Sequence, residues 1–193
     1  QYWFRKPLFY IYCGIMFFLS TFIMATAAGI FEGLTATINS VTIVNSALAI
    51  NGLLNEMNVI LFFLLPSIIG GTIYKDFENE KHSVMFSYPF KKWEYLSAKF
   101  VAGLIITLLV MSFAAIGIML GSVLPGTNPD LLGPFVLMNY VQSFVYYLIP
   151  NLIFYGAVVF AVVTFTRNVS VGFLTVLGLI IVQGFASTLT QDS

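Results

Sequence analysis

Residues 8–30 read LFYIYCGIMFFLSTFIMATAAGI, and no charged side chain occurs between Lys6 and Glu32. A helix that crosses a hydrocarbon core of about 30 Å needs about 20 apolar residues, and this run supplies them without a break. No small-residue cleavage site follows it, so it reads as a retained span and not as a signal peptide. Four more runs of this kind follow, at about Met57–Tyr74, Leu96–Leu124, Tyr140–Thr166 and Val171–Leu189. Val44–Leu54 is apolar enough to carry the second helix further outward. Backbone left unpaired in lipid costs several kcal/mol per group, so each run is expected to be helical. Turn residues separate them at Pro125-Gly126-Thr127-Asn128-Pro129 and at Arg167-Asn168. The expected fold is all-α: one polytopic transmembrane helix bundle over residues 1–193, with five spans.

Composition agrees with that class. Hydrophobic residues make up 59% of the 193 positions and charged residues 8%, against roughly 25% charged in soluble domains. So few charges cannot solvate a surface, and lipid must be the solvent for most of the chain. Net charge is zero and no basic tail exists, which removes the electrostatic footprint of a nucleic-acid partner. The one cysteine, Cys13, lies inside the first run with no partner for a disulfide within the chain.

The placement of charge orients the bundle. Lysine and arginine occur before the first run (Arg5, Lys6), between the second and third (Lys75, Lys81, Lys91, Lys92, Lys99) and between the fourth and fifth (Arg167). The alternate connections carry Glu32, Glu56, Asp130 and Asp192 and no base. Basic loops are retained in the cytoplasm, so the amino terminus is expected inside. Five spans then leave the carboxyl terminus outside, and a sixth span beyond Ser193 is the expected continuation. The opening residue, Gln1, suggests a segment of a longer protein.

Known catalytic patterns are absent from the sequence. No Gly-Lys pair exists, so there is no phosphate-binding loop of the Walker type. A single histidine, His82, excludes the paired-histidine zinc motif, and no Gly-x-Ser-x-Gly elbow occurs. No catalytic, cofactor-binding or metal-binding residue is assigned. Within the spans as bounded above, Lys99 is the one charged residue and can snorkel to the interface. Ion-coupled carriers keep ionisable groups at membrane depth, so an energy source on a partner is expected. Pro66 and Pro150 each remove a backbone donor and are expected to kink their helices. Gly117 and Gly121, four residues apart, permit close helix approach. Asn151 and Gln183 are polar groups within spans that could bond a neighbouring helix or line a path.

The segment between spans two and three, residues 75–95, is the one rich in charge. Phe77, Val84, Met85 and Tyr88 share one side of a helical wheel, with Glu78, Glu80 and Lys81 largely elsewhere. An amphipathic interfacial helix is therefore expected, ended at Pro89. It serves either as a plain connector at the headgroups or as a docking element for a cytoplasmic protein.

Three stretches here resemble the same loop of ABC-2 type transporter permeases. They are Ile73-Tyr74-Lys75-Asp76-Phe77-Glu78, then Phe86-Ser87-Tyr88-Pro89, then Lys91-Lys92-Trp93-Glu94-Tyr95-Leu96 with Lys99. Arg5-Lys6-Pro7, the run Gly156–Phe165 and Arg167 are also similar to that family, nearest to permeases sometimes fused to a zinc aminopeptidase domain. By motif the resemblance covers about thirty residues.

The resemblance implies a six-span half-transporter of the bacterial cytoplasmic (inner) membrane that pairs with a second permease half, identical or not. It also implies a cytoplasmic ATPase subunit carrying ATP and Mg. The coupling helix would then comprise Asp76, Phe77, Glu78, Glu80, Lys81, Val84, Met85, Ser87 and Pro89. His82 and Ser83 depart from the small residues usual there, and the chain stops one span short. The alternative function is a membrane scaffold that docks cytoplasmic partners and transports nothing.

Overall fold

A computed structural model describes residues 6–31, 43–78 and 92–191. Seven α-helices and three short tighter or wider turns make up the described chain: α1 (Pro7–Ala27), α2 (Ala47–Leu65), a π-turn (Pro66–Gly70), α3 (Gly71–Glu78), α4 (Lys92–Gly121), a 3-10 turn (Pro129–Leu131), α5 (Leu137–Ser143), a second π-turn (Phe144–Leu148), α6 (Ile149–Thr166) and α7 (Val169–Gln191). The described residues hold no strand. Four helical stretches are long and apolar enough to cross a membrane: Pro7–Ala27, Ala47–Tyr74, Trp93–Gly121 and Leu137–Thr166. This is the architecture of a multi-pass membrane protein. A shorter apolar helix, Val169–Phe185, belongs to α7.

Each boundary has a local cause. Pro7 opens α1, where its missing N–H costs nothing. Gly29, at φ +80°, closes it: Ile30 N–H donates to the Ala25 carbonyl and Gly29 N–H to that of Thr26. That pair of bonds is a Schellman cap, and it requires a left-handed residue that glycine fills without strain. The expected run to Ile30 therefore stops as helix at Ala27. Ser46 begins α2, its Oγ accepting from Ala49 N–H at 3.3 Å. At the far end of α6, Arg167 stands in the left-handed region at φ +52°. Its N–H donates to the Val163 carbonyl, and the Asn168 side chain accepts from Ser170 N–H to start α7.

The second helix begins ten residues ahead of Met57. Glu56, expected in an outer connection, therefore lies inside a stretch long enough to span. Within these longer candidate stretches Lys99 is joined by Glu56 and Glu94. For Glu56 the cause is the apolar run Val44–Leu54, which carries the helix outward past the carboxylate.

The chain divides into two compact units. Unit 1 comprises Gln1–Asn58 and Leu108–Asn151. Its α1 buries Phe9, Cys13, Met16, Ser20 and Met24, spaced three or four apart, and leaves Tyr10, Ile15, Phe18 and Phe22 exposed. An apolar face turned outward marks contact with lipid or with another protein. Unit 2 comprises Val59–Thr107 and Leu152–Ser193. There Ile68, Ile69, Ile73, Leu152, Val159 and Val163 are buried at 2% exposure or less. Phe62 packs edge-on against Tyr155 with ring centroids 4.3 Å apart.

Candidate functional site

Unit 1 concentrates its polar groups at the end where α1 stops and α2 starts. Asn128 N–H donates to the Ala28 carbonyl at 2.9 Å, and Val44 N–H to the Leu131 carbonyl at 2.9 Å. The buried Asn45 side chain pairs with Gly133 in both directions, its Nδ2 donating to the carbonyl at 2.7 Å and its Oδ1 accepting from N–H at 2.9 Å. Asn139 Nδ2 donates to the Asn45 carbonyl at 3.3 Å, and the Tyr140 hydroxyl donates to Ser122 Oγ at 3.0 Å. These bonds close a polar cap over this end of the unit, satisfying connecting backbone that would otherwise face an apolar core.

Below the cap, α2 carries Asn51, Asn55 and Asn58 at spacings of four and three, one stripe on the helix. The Tyr147 hydroxyl donates to Asn55 Oδ1 at 2.5 Å. Tyr147 lies in the π-turn Phe144–Leu148, where Ile149 N–H reaches back five residues to the Phe144 carbonyl. Asn51 Oδ1 and Asn58 Oδ1 are buried without a hydrogen-bond partner. Glu56 points away from this stripe, about 140° from Asn51 on a helix of 3.6 residues per turn, and is exposed. Its carboxylate has no hydrogen bond or ion pair among the described residues.

Gly117 and Gly121 face α1 within the same unit. A methyl group at Gly117 would lie 2.6 Å from the Phe17 carbonyl oxygen, and one at Gly121 would lie 2.7 Å from Met24 Cβ. The two backbones meet there, and only hydrogen fits. Ser20 and Thr21 turn their hydroxyls onto the Phe17 carbonyl at 3.0 and 2.7 Å, which removes them as unpaired groups at the crossing. A shallow groove of about 340 Å³ along α1 is lined by Phe9, Tyr10, Cys13, Phe17, Phe113 and Ile116. Its walls are almost wholly apolar.

In unit 2, Val163 stands between two glycines: methyl groups at Gly70 and Gly172 would lie 3.1 and 2.7 Å from its Cγ2. Pro66 is buried at the head of the π-turn, where Gly71 N–H bonds the Pro66 carbonyl five residues back. Lys99 Nζ is 3.4 Å from the Thr72 carbonyl and 5.7 Å from the centre of the Tyr95 ring. The cation at the start of α4 is thus directed to the backbone of α3, close to where the charged segment departs.

The structure brings together few of the residues expected to share a site. Asp76, Phe77 and Glu78 form the last turn of α3. Glu80, Lys81, Val84, Met85, Ser87 and Pro89 lie outside the described residues, and so does most of the expected amphipathic helix. Pro150 is exposed, two residues past the π-turn of unit 1. Asn151 is half-buried and Gln183 exposed, and neither side-chain amide is hydrogen-bonded among the described residues. The asparagine stripe and the Asn45 clamp were not assigned from sequence. The i, i+4, i+7 spacing of the stripe was legible there, whereas the clamp joins residues 88 positions apart.

No protein-family model, curated protein or solved structure matches this chain.

Proposed function

We propose that this chain is the membrane subunit of an ABC-2 type transporter, moving substrate with ATP hydrolysed by a separate cytoplasmic subunit. The observation that carries the reading is the stretch around residues 73–99. Its sequence resembles the coupling loop of those permeases, and it joins two helical stretches of 28 and 29 residues. Both exceed the roughly 20 residues a bilayer requires. A docking segment joined to two overlong helices can convey a partner's movement into the membrane. Lys99, bound to the Thr72 carbonyl, ties the two stems together. In this reading α7 is a fifth span, the amino terminus is cytoplasmic, and the chain pairs with a second permease half in a bacterial cytoplasmic membrane.

The test is a mild-detergent purification of the full-length protein assayed for associated ATPase activity. Reversing charge with Glu78→Lys, Glu80→Lys and Lys81→Glu together is expected to weaken association about tenfold or more, which corresponds to about 1.4 kcal/mol. Undiminished ATPase association in the triple variant would overturn the coupling assignment, and an ATPase-free oligomer would favour the scaffold. One observation favours a further reading, an ion-coupled carrier: Glu56 lies within a candidate span. Flux through liposomes holding the purified chain alone would establish it.

A further inference from the structure

Three contacts fix how two stretches of unit 1 run side by side. Asn139 Nδ2 donates to the Asn45 carbonyl at 3.3 Å, Ser143 Oγ lies 3.3 Å from the Ala47 carbonyl, and the Tyr147 hydroxyl donates to Asn55 Oδ1 at 2.5 Å. Residue numbers rise together on both sides, so the chain from Leu137 to Asn151 runs parallel to α2. One turn beyond the third contact, this register brings Asn151 level with Asn58, and both belong to unit 1.

The α2 side of this contact carries a stripe of amides. Asn51, Asn55 and Asn58 fall within a sector of about 60° on a helix of 3.6 residues per turn. The oxygen of the middle one is taken by the Tyr147 hydroxyl. Its neighbours differ: Asn51 Oδ1 and Asn58 Oδ1 are buried with no hydrogen-bond partner, and Asn58 is only 3% exposed. An amide oxygen buried in this way bears its full desolvation penalty. Unlike a carboxylate, an amide cannot relieve that penalty by taking up a proton.

Both oxygens require a hydrogen-bond donor. A metal ion does not fit, because each position offers one oxygen where such an ion takes about six, and Glu56, the one charge of α2, lies off the stripe. A ligand of many atoms would need an opening that the burial of Asn58 denies it. Water needs about two to four polar partners, and the stripe supplies them. The side-chain N–H groups of Asn55 and Asn151 have no hydrogen bond among the described residues. Amides one turn apart stand about 5–6 Å from each other at Cβ, a gap that one water closes with two bonds of about 2.8 Å.

We propose that unit 1 holds bound water on this stripe. One molecule sits at Asn58, bridging toward Asn55 and Asn151, and a second sits at Asn51, bridging toward Asn55. These sites are independent of the transporter reading.

The test is solid-state NMR of the full-length protein, carrying isotope-labelled asparagine, in liposomes of zwitterionic phospholipid. Magnetisation is passed from water protons to the side-chain amides. Asn51 and Asn58 are expected to receive it sooner than Asn45, which is buried but bonded directly to Gly133. The near-isosteric Asn58→Leu should slow the transfer to Asn151 and leave that to Asn51 unchanged. It should also lower the melting temperature by about 2–4 °C, the usual response of a chain this size to the loss of one hydrogen-bonded group. Transfer to Asn51 or Asn58 as slow as to Asn45 would overturn that site. A higher melting temperature for Asn58→Leu would also overturn the site at Asn58, since that is the result for a bare amide. The wild-type transfer rates need no variant to fold, and no ATPase enters any of these readings.

Discussion

At Gly121 the absence of a side chain is a packing requirement. A methyl group there would meet Met24 Cβ at 2.7 Å and the Thr21 carbonyl oxygen at 2.9 Å, and backbone cannot yield as a flexible side-chain end can. Gly121→Ala is expected to separate α1 from α4 and destabilise unit 1 by about 1–3 kcal/mol, the usual range for overpacking. Gly121→Leu should cost more. Gly14 is the internal control: it lies on α1 with open space around its Cα, and Gly14→Ala should change stability little. Thermal unfolding in a single detergent distinguishes the three variants, and equal melting of Gly121→Ala and Gly14→Ala would show that the crossing is not close. The Gly-x-x-x-Gly spacing was readable in the sequence. That its partner is the Phe17–Met24 stretch was not, because any small-residue pair can face any helix.

At the scale of elements, the cap of unit 1 depends on one amide. Asn45 makes two hydrogen bonds with Gly133 at 2.7 and 2.9 Å. Asn45→Ala leaves the half-buried Gly133 N–H and carbonyl without this partner, at up to about 1–3 kcal/mol each. The connection from Ser122 to Val136 should then open to protease in the folded protein well before the helices do. Asn45→Asp keeps the acceptor and loses the donor, so its proteolysis rate should fall between those of the wild type and Asn45→Ala. Cleavage at wild-type rates in Asn45→Ala would remove the clamp from any structural role. The helices themselves follow from apolar runs and local stop signals. Their register changes do not: both π-turns sit near prolines, yet Pro66 opens one and Pro150 follows the other.

For the whole molecule the testable quantity is topology. The stretch Leu137–Thr166 is long enough to span, so the turn at Gly126 and the turn at Asn168 are expected on opposite sides of the membrane. In a Cys13→Ser background, Gly126→Cys is expected to react with a membrane-impermeant maleimide in intact cells. Asn168→Cys should react only after permeabilisation. Labelling of both from one side would show that this stretch does not cross. The reverse pattern would invert the orientation expected from the eight basic residues.

The all-helical class and the four long apolar stretches were determined by the sequence itself, because lipid excludes every secondary structure that leaves backbone unpaired. A run such as Leu8–Ile30 therefore has few alternatives, and its helix is local information. Tertiary structure decided which faces meet within each unit. Asn45 reaches Gly133 across 88 positions, and Glu56 lies within a helix and not in a connection because α2 starts at Ala47. Hydrophobicity alone could not place that start, since apolar residues flank Glu56 on both sides and either boundary satisfies the bilayer.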